Sequence, residues 1–302
     1  MKNKVATGGI IALILIILVI IFCVWAGKKI NEKLTGINPT PENTGQNQPG
    51  GQSPPSLPAS ASEAEKIYLA LGNPSKATAT TSNPDNYLMV NTAYALSYNN
   101  SKGTANWVAW RVTESNLGDA ERQNDFRIDD RLPKNFNRIK PTDYTRSGFD
   151  RGHLCPSADR AGSEEANSET FLMTNMVPQT ADLNRNLWER LESYSRGLVK
   201  RGKVDLYIIA GVYGEKGRLK KKVTVPTNCW KIVVAVPQGA GISAINDKTH
   251  IIAVDMPNAD GIAKEDWRKF RTTVRAIEQR TGYDFFSNLP TEVQNQIEVK
   301  KE

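Results

Sequence analysis

Histidine is scarce in this 302-residue chain, which holds only His153 and His250. That excludes multi-histidine zinc centres and mechanisms in which two histidines share the acid and base roles. Cysteine is equally sparse. Of three, Cys23 lies in an apolar run, and Cys155 and Cys229 belong to no CxxC pair. A zinc ribbon and a disulfide-framed small domain are excluded, while a single Cys155–Cys229 bridge stays open for a chain outside the cytoplasm. No internal repeat is present, which excludes a solenoid or propeller. A large excess of one charge is missing too. Formal net charge is +7; residues 1–62, with five lysines and two glutamates, supply +3, leaving +4 for the rest. That excess does not by itself argue for a polyanionic partner.

What is present begins with one long apolar run. After a tail of residues 1–5, residues 6–27 read ATGGIIALILIILVIIFCVWAG. At about 1.5 Å per residue such a helix crosses a hydrocarbon core of roughly 30 Å. The run has no polar face, so a buried core helix is a poor fit. Lys2 and Lys4 precede it and Lys28, Lys29 and Lys33 follow, so flanking charge leaves orientation open. Val24 and Ala26 also suit a signal-peptidase site, which makes secretion after cleavage the alternative. The length of the run favours an uncleaved, single-pass anchor. Residues 28–62 form a linker that turns Pro-, Gly- and Ser-rich from Gly36 onward and reads as a flexible spacer. Residues 63–302 are the expected globular domain, placed outside the cytoplasm.

Within it, the segments 94–99 (YALSYN), 106–112 (NWVAWRV), 204–212 (VDLYIIAGV), 231–236 (KIVVAV) and 250–256 (HIIAVDM) read as strands. Helices are expected over about Asp182–Arg201 and about Lys264–Arg280, the second stopped by Gly282. Strands outnumber helices without alternating with them, so the class is α+β. Trp107, Trp110 and Trp230 interrupt strand patterns and read as core. The run Arg218–Lys222 reads as an exposed turn before a strand at Val223. Eleven of the seventeen arginines, but three of the twenty-two lysines, fall between Arg122 and Arg201. Guanidinium groups suit bidentate phosphate contacts, although a solvated basic surface has the same composition.

His153 lies in FDRGHLCPSADR, among charged residues and next to a glycine. With an ordinary pKa of about 6.5, a histidine is a natural general base near neutrality. His250 opens an apolar strand and reads as structural. Downstream, Asn184, Trp188, Glu192 and Arg196 recur every four residues, beside an apolar stripe of Leu187, Leu191, Tyr194 and Leu198. An amide, a carboxylate and a guanidinium therefore share one side of an anchored helix. A Glu192–Arg196 ion pair on a solvated face would explain two of them, but not Asn184.

These segments carry a resemblance. Asp150-Arg151-Gly152-His153 is similar to the DRGH signature of the DNA/RNA non-specific endonucleases, the ββα-metal nucleases related to mitochondrial endonuclease G. The likeness continues through TNMVPQTADLNRNLWERLE (174–192) and TGYDFFSNLP near the C-terminus, with Asn184 placed 31 residues after His153. It implies a central, mostly antiparallel sheet flanked by helices, here preceded by a transmembrane helix. It also implies Mg²⁺-dependent hydrolysis of DNA and RNA, with Mn²⁺ as a substitute metal. By resemblance His153 is the general base, Asn184 the direct metal ligand, and Glu192 the group holding the metal's waters. Arg122 stabilises the transition state, Arg151 and Arg196 bind phosphate, Asn175 orients the site, and Asp150 has an orienting role. The products are expected to carry 5′-phosphate and 3′-hydroxyl ends. A surface nucleic-acid-binding protein without activity is the alternative, as is a small-molecule phosphodiesterase.

Overall fold

Strands such as VDLYIIAGV and KIVVAV have no alternating polar face, so both their faces must be covered by protein. In the computed structural model, which describes Pro58 and residues 60–301, they lie side by side inside a seven-stranded sheet. Its strands, in spatial order, are β1 (Tyr87–Val90), β2 (Ala95–Asn99), β3 (Thr104–Val112), β6 (Val204–Tyr213), β9 (Asn228–Pro237), β10 (His250–Pro257) and β11 (Arg271–Thr272). Every neighbour is antiparallel. Between β3 and β6 the chain makes β4 (Asp150–His153) and β5 (Met176–Gln179), an antiparallel pair of their own. Between β6 and β9 it makes the small hairpin β7 (Arg218–Leu219) and β8 (Val223–Thr224), turned through Lys220 and Lys221.

Five α-helices accompany the sheet among the described residues: α1 (Ala61–Tyr68), α2 (Glu164–Glu169), α3 (Glu189–Gly202), α4 (Val274–Thr281) and α5 (Thr291–Ile297). Helix α3 continues a π-helical segment, Leu183–Trp188, and packs on β6, whereas α1 packs on β1, β2 and β3. The apolar stripe on the 183–202 segment behaves as its spacing implies. Leu187 and Leu191 are buried in the main core, and Tyr194 and Leu198 pack against it. Trp107, Trp110 and Trp230 are buried there as well. A second, smaller core gathers Ile139, Tyr144, Met173, Met176, Leu219 and Val223. It places the β7–β8 hairpin next to the β4–β5 pair.

One expectation needs correction, and one question left open by the sequence is answered. The helix expected over Lys264–Arg280 is interrupted: a 3-10 turn forms at Trp267–Phe270, and the α-helix is confined to α4. Thr273 caps it by accepting from the Ala276 N–H at 3.1 Å, and Gly282 ends it in the left-handed region. Residues before the cap do other work: Arg271 and Thr272 pair with Val254 and Ala253 as an edge strand, and Trp267 is buried. Helical periodicity could not separate these roles, because a short edge strand and a short helix both need only a few apolar positions. Cys155 and Cys229 are both buried and both free thiols, so the bridge left open by the sequence is not made. The tail at 1–5, the anchor at 6–27 and nearly all of the 28–62 linker lie outside the described residues. Among the described residues no helix is long and apolar enough to cross a membrane.

Asn258, at the end of β10, ties the exit of β5 to the main sheet. Its carbonyl oxygen accepts from the Thr180 N–H at 2.8 Å, and its amide donates to the carbonyls of Pro178 (2.9 Å) and Pro226 (3.0 Å). All three bonds are buried, so Asn258→Ala leaves several polar groups without partners. The expected cost is about 3 kcal/mol of stability, measured by urea unfolding. A loss under about 0.5 kcal/mol would show that the tie is dispensable.

Candidate active site

The short DRGH strand is extended, so its side chains alternate between two sides. Arg151 and His153 share one, and both meet Phe126. The Arg151 guanidinium lies 4.2 Å from the Phe126 ring centre, and the His153 ring 5.7 Å from it. Gly152 faces the other way, against Gln179. A Cβ built on Gly152 would stand 2.0 Å from Gln179 Oε1 and 2.7 Å from its Cγ, and Gln179 is itself buried. The glycine of the signature is therefore required by close packing across β4–β5.

His153 is 8% exposed, with Phe171 edge-on at 4.9 Å. Its Nε2 is buried and has no hydrogen-bond partner. Burial, then the Arg122 and Arg151 guanidiniums, pull its pKa from 6.5 down to about 3. The imidazole is neutral at neutrality by a wide margin, and the inflection near 6.5 that an unperturbed histidine implies is displaced. Its backbone is held from two directions. Trp188 donates to the His153 carbonyl at 3.2 Å. Two residues on, Asn175 accepts from Cys155 N (2.9 Å) and donates to the carbonyls of Cys155 (2.8 Å) and Thr170 (2.8 Å). Asn175 is fully buried, so it acts on the loop behind the histidine.

The π-helical segment supplies Asn184. Its turns start at Thr180, whose carbonyl accepts from Asn184 N at 2.9 Å. The Asn184 amide nitrogen donates to Asp150 Oδ2 at 2.9 Å. Arg185 grips the same carboxylate with Nε and Nη2, at 2.8 and 2.7 Å. Those bonds hold Asp150 below the usual carboxylate range, Arg185 contributing most. With its nitrogen committed to Asp150, Asn184 keeps its carbonyl oxygen as the free end.

The remaining site residues form a network on the sheet side of α3. Glu192 Oε1 accepts from Lys231 Nζ at 2.9 Å. Arg196 donates to Asp159 at 3.1 Å, and Trp110 donates to the same carboxylate at 2.9 Å. The two helix charges thus pair with partners elsewhere in the fold, not with each other. Arg122 donates to Ser157 Oγ at 2.5 Å and lies over Phe171 at 4.8 Å. Burial lowers the Arg122 pKa and the nearby Glu192 opposes that shift; burial raises the Glu192 pKa and Lys231 opposes it.

The fold therefore gathers His153 with Arg122 and Arg151, joins Asn184 to Asp150, and sets Glu192 near Arg122 and Arg196. Asn175 stands behind the site. Lys231, Arg185, Asp159 and the two phenylalanines are additions that sequence reasoning missed. Only Lys231 left a trace there, as one charge inside an apolar strand.

A neutral imidazole bounded by guanidiniums, one of which lies near a carboxylate, is equipment suited to a hydrolase acting on an anionic ester. The chain belongs to the DNA/RNA non-specific endonuclease family, whose pattern it matches over residues 71–292, and it is accordingly a DNA/RNA endonuclease. It is 55% identical over 236 residues to a nuclease of Nostoc sp., covering 78% of this chain and 85% of that protein. It is 32% identical over 214 residues to human mitochondrial endonuclease G, covering 65% of this chain and 68% of the relative. In fold it is similar to a chain solved in the EndoG/EndoGI complex, with a TM-score of 0.65 and 24% identity, over 83% of this chain and 99% of the other.

The displaced histidine pKa makes a stability prediction. Between pH 6.5 and about 3 the unfolded chain protonates this histidine and the folded protein does not. Stability therefore falls as pH drops through that window. From pH 7 to about 4.5, His153 should account for roughly 2–3 kcal/mol of the loss. Urea unfolding with chelator present should show His153→Ala losing that much less than the wild type over the same interval. Equal losses would place the imidazole in contact with water.

Proposed function

We propose that the protein is a Mg²⁺-dependent endonuclease that hydrolyses phosphodiesters in DNA and RNA, with His153 as its general base. The observation that carries this reading is the unpartnered Nε2 of a neutral His153 set between Arg122 and Arg151. A buried nitrogen with no internal partner is a cost unless something outside the protein uses it. A water that gives up its proton on attacking phosphorus is such a partner. Arg122 and Arg151 then stand where negative charge grows on the phosphoryl oxygens, and Arg196, held by Asp159, adds a further phosphate contact.

The donor set suits a hydrated, oxygen-seeking cation. Asn184 offers one free amide oxygen because Asp150 occupies its nitrogen, and Glu192 has a carboxylate oxygen left over for surrounding waters. Mg²⁺ keeps several waters and takes few protein ligands; Mn²⁺ is the natural substitute. Bound there, the ion supplies Lewis-acid stabilisation of the departing 3′ oxygen. Groups that all address phosphate and metal leave base edges unread, which accounts for cutting with little sequence preference.

Purified protein should nick closed circular plasmid and degrade RNA only when Mg²⁺ is present, leaving 5′-phosphate and 3′-hydroxyl ends. His153→Ala should lower turnover roughly 10²–10⁴-fold with little change in nucleic-acid binding. Asn184→Ala should raise the Mg²⁺ concentration required. Cyclic phosphate ends on RNA, or normal turnover by His153→Ala, would refute the reading.

We further place the nuclease domain outside the cytoplasm, tethered by residues 6–27 through the 28–62 spacer. The support is the length of the apolar run and the hazard a nuclease poses to its own chromosome. Protease added to intact cells should release the domain, and full protection until lysis would reverse the topology.

A further inference from the structure

Lys231 is a site residue whose position is costly without a partner. It sits in β9 between Trp230 and Ile232, opposite Ala210 of β6 and Val254 of β10. The side chain is 1% exposed. An ammonium in the middle of a sheet, away from water, requires a compensating charge. The rings of Trp188 and Trp110 lie 4.2 and 5.4 Å from its nitrogen. The single carboxylate it reaches is Glu192, through Oε1. Among the described residues no donor reaches Oε2, and Glu192 is on the helix that follows Asn184.

We infer that Lys231 is a positioning residue for the hydrolytic reaction, clamping Glu192 by one oxygen so that the other is presented to the waters of the metal site. The inference rests on the role proposed above for Glu192. It also explains why this strand carries a charge where every packing argument asks for an apolar residue. A glutamate on a helix has several rotamers available. With Oε1 anchored to a buried lysine that also meets two indole rings, that choice is narrowed. Residues that orient a group around a metal typically change metal affinity or activity 10–100-fold when removed.

The test uses three variants of the whole protein: Glu192→Gln, Lys231→Met, and the two combined. Mg²⁺ binding is measured by calorimetry without substrate, and kcat and KM on plasmid are measured as a function of Mg²⁺. Lys231→Met should weaken Mg²⁺ binding and lower kcat by about 10-fold or more, with KM for plasmid within about threefold. In the Glu192→Gln background, Lys231→Met should change neither quantity further, because the group it positions is already altered. The double variant carries no unpaired buried charge, and Glu192→Gln keeps an amide oxygen as an acceptor for Lys231 Nζ; with the folding of both checked by urea unfolding, this comparison stands even where Lys231→Met alone does not fold. A folded Lys231→Met with wild-type Mg²⁺ binding and kcat would reduce the lysine to a packing role. Additional losses in the double variant beyond Glu192→Gln would show that it acts through some other group. If Glu192→Gln itself leaves Mg²⁺ binding and kcat unchanged, the proposed role of Glu192 fails, and the inference about Lys231 with it.

Discussion

The ion pair between Lys231 and Glu192 ties the middle of the sheet to helix α3. One partner belongs to the middle of the sheet and the other to α3, which carries Asn184 at the head of its π-helical entry. Breaking such a pair by removing one member usually costs about 3–5 kcal/mol, since the survivor is left charged and unpaired. The geometry is thus enforced by penalty more than by attraction. Asp159 and Arg196 repeat the arrangement close by, with the carboxylate only 3% exposed. Together the four groups sum to zero charge, which lets them share a largely buried region that no one of them could occupy alone.

Arginine crowding and burial act on His153 in the same direction. Each disfavours the imidazolium, so His153 in the role of base proposed above would be neutral over the whole neutral range but intrinsically weak. In the proposed reaction that weakness is offset because the same cations and the metal would make the proton's donor more acidic. The phenylalanines complete the arrangement. Phe126 and Phe171 each hold a guanidinium on one side and meet the imidazole edge-on, so they fix the base and its flanking charges as one assembly.

Much of this was readable from residue order. The apolar segments are the strands of the sheet, the apolar stripe at Leu187 and Leu191 is the buried face of the helix, and the lone usable histidine is where the cations converge. Illegible parts share a physical character: they depend on contacts between residues distant in the chain. Glu192 and Arg196 look like mutual partners because they are four apart, yet their true partners lie 39 and 37 residues away. Gly152, which the sequence shows only as a glycine beside the histidine, is a space left for Gln179. Residues 264–273 look helical because an edge strand two residues long and one buried tryptophan leave no periodic signature of their own.

The π-helical stretch at Leu183–Trp188 carries a consequence for how this protein can vary in evolution. Such a stretch is equivalent to one residue spliced into an α-helix, and each residue turns an α-helix by about 100°. Removing one residue from the segment would restore regular winding and swing Asn184 away from Asp150, although every side chain named at the site could remain. Length here is constrained as tightly as identity. Even with every side chain between 183 and 188 retained, an insertion or deletion of a single codon would disconnect the amide from the carboxylate that aims it.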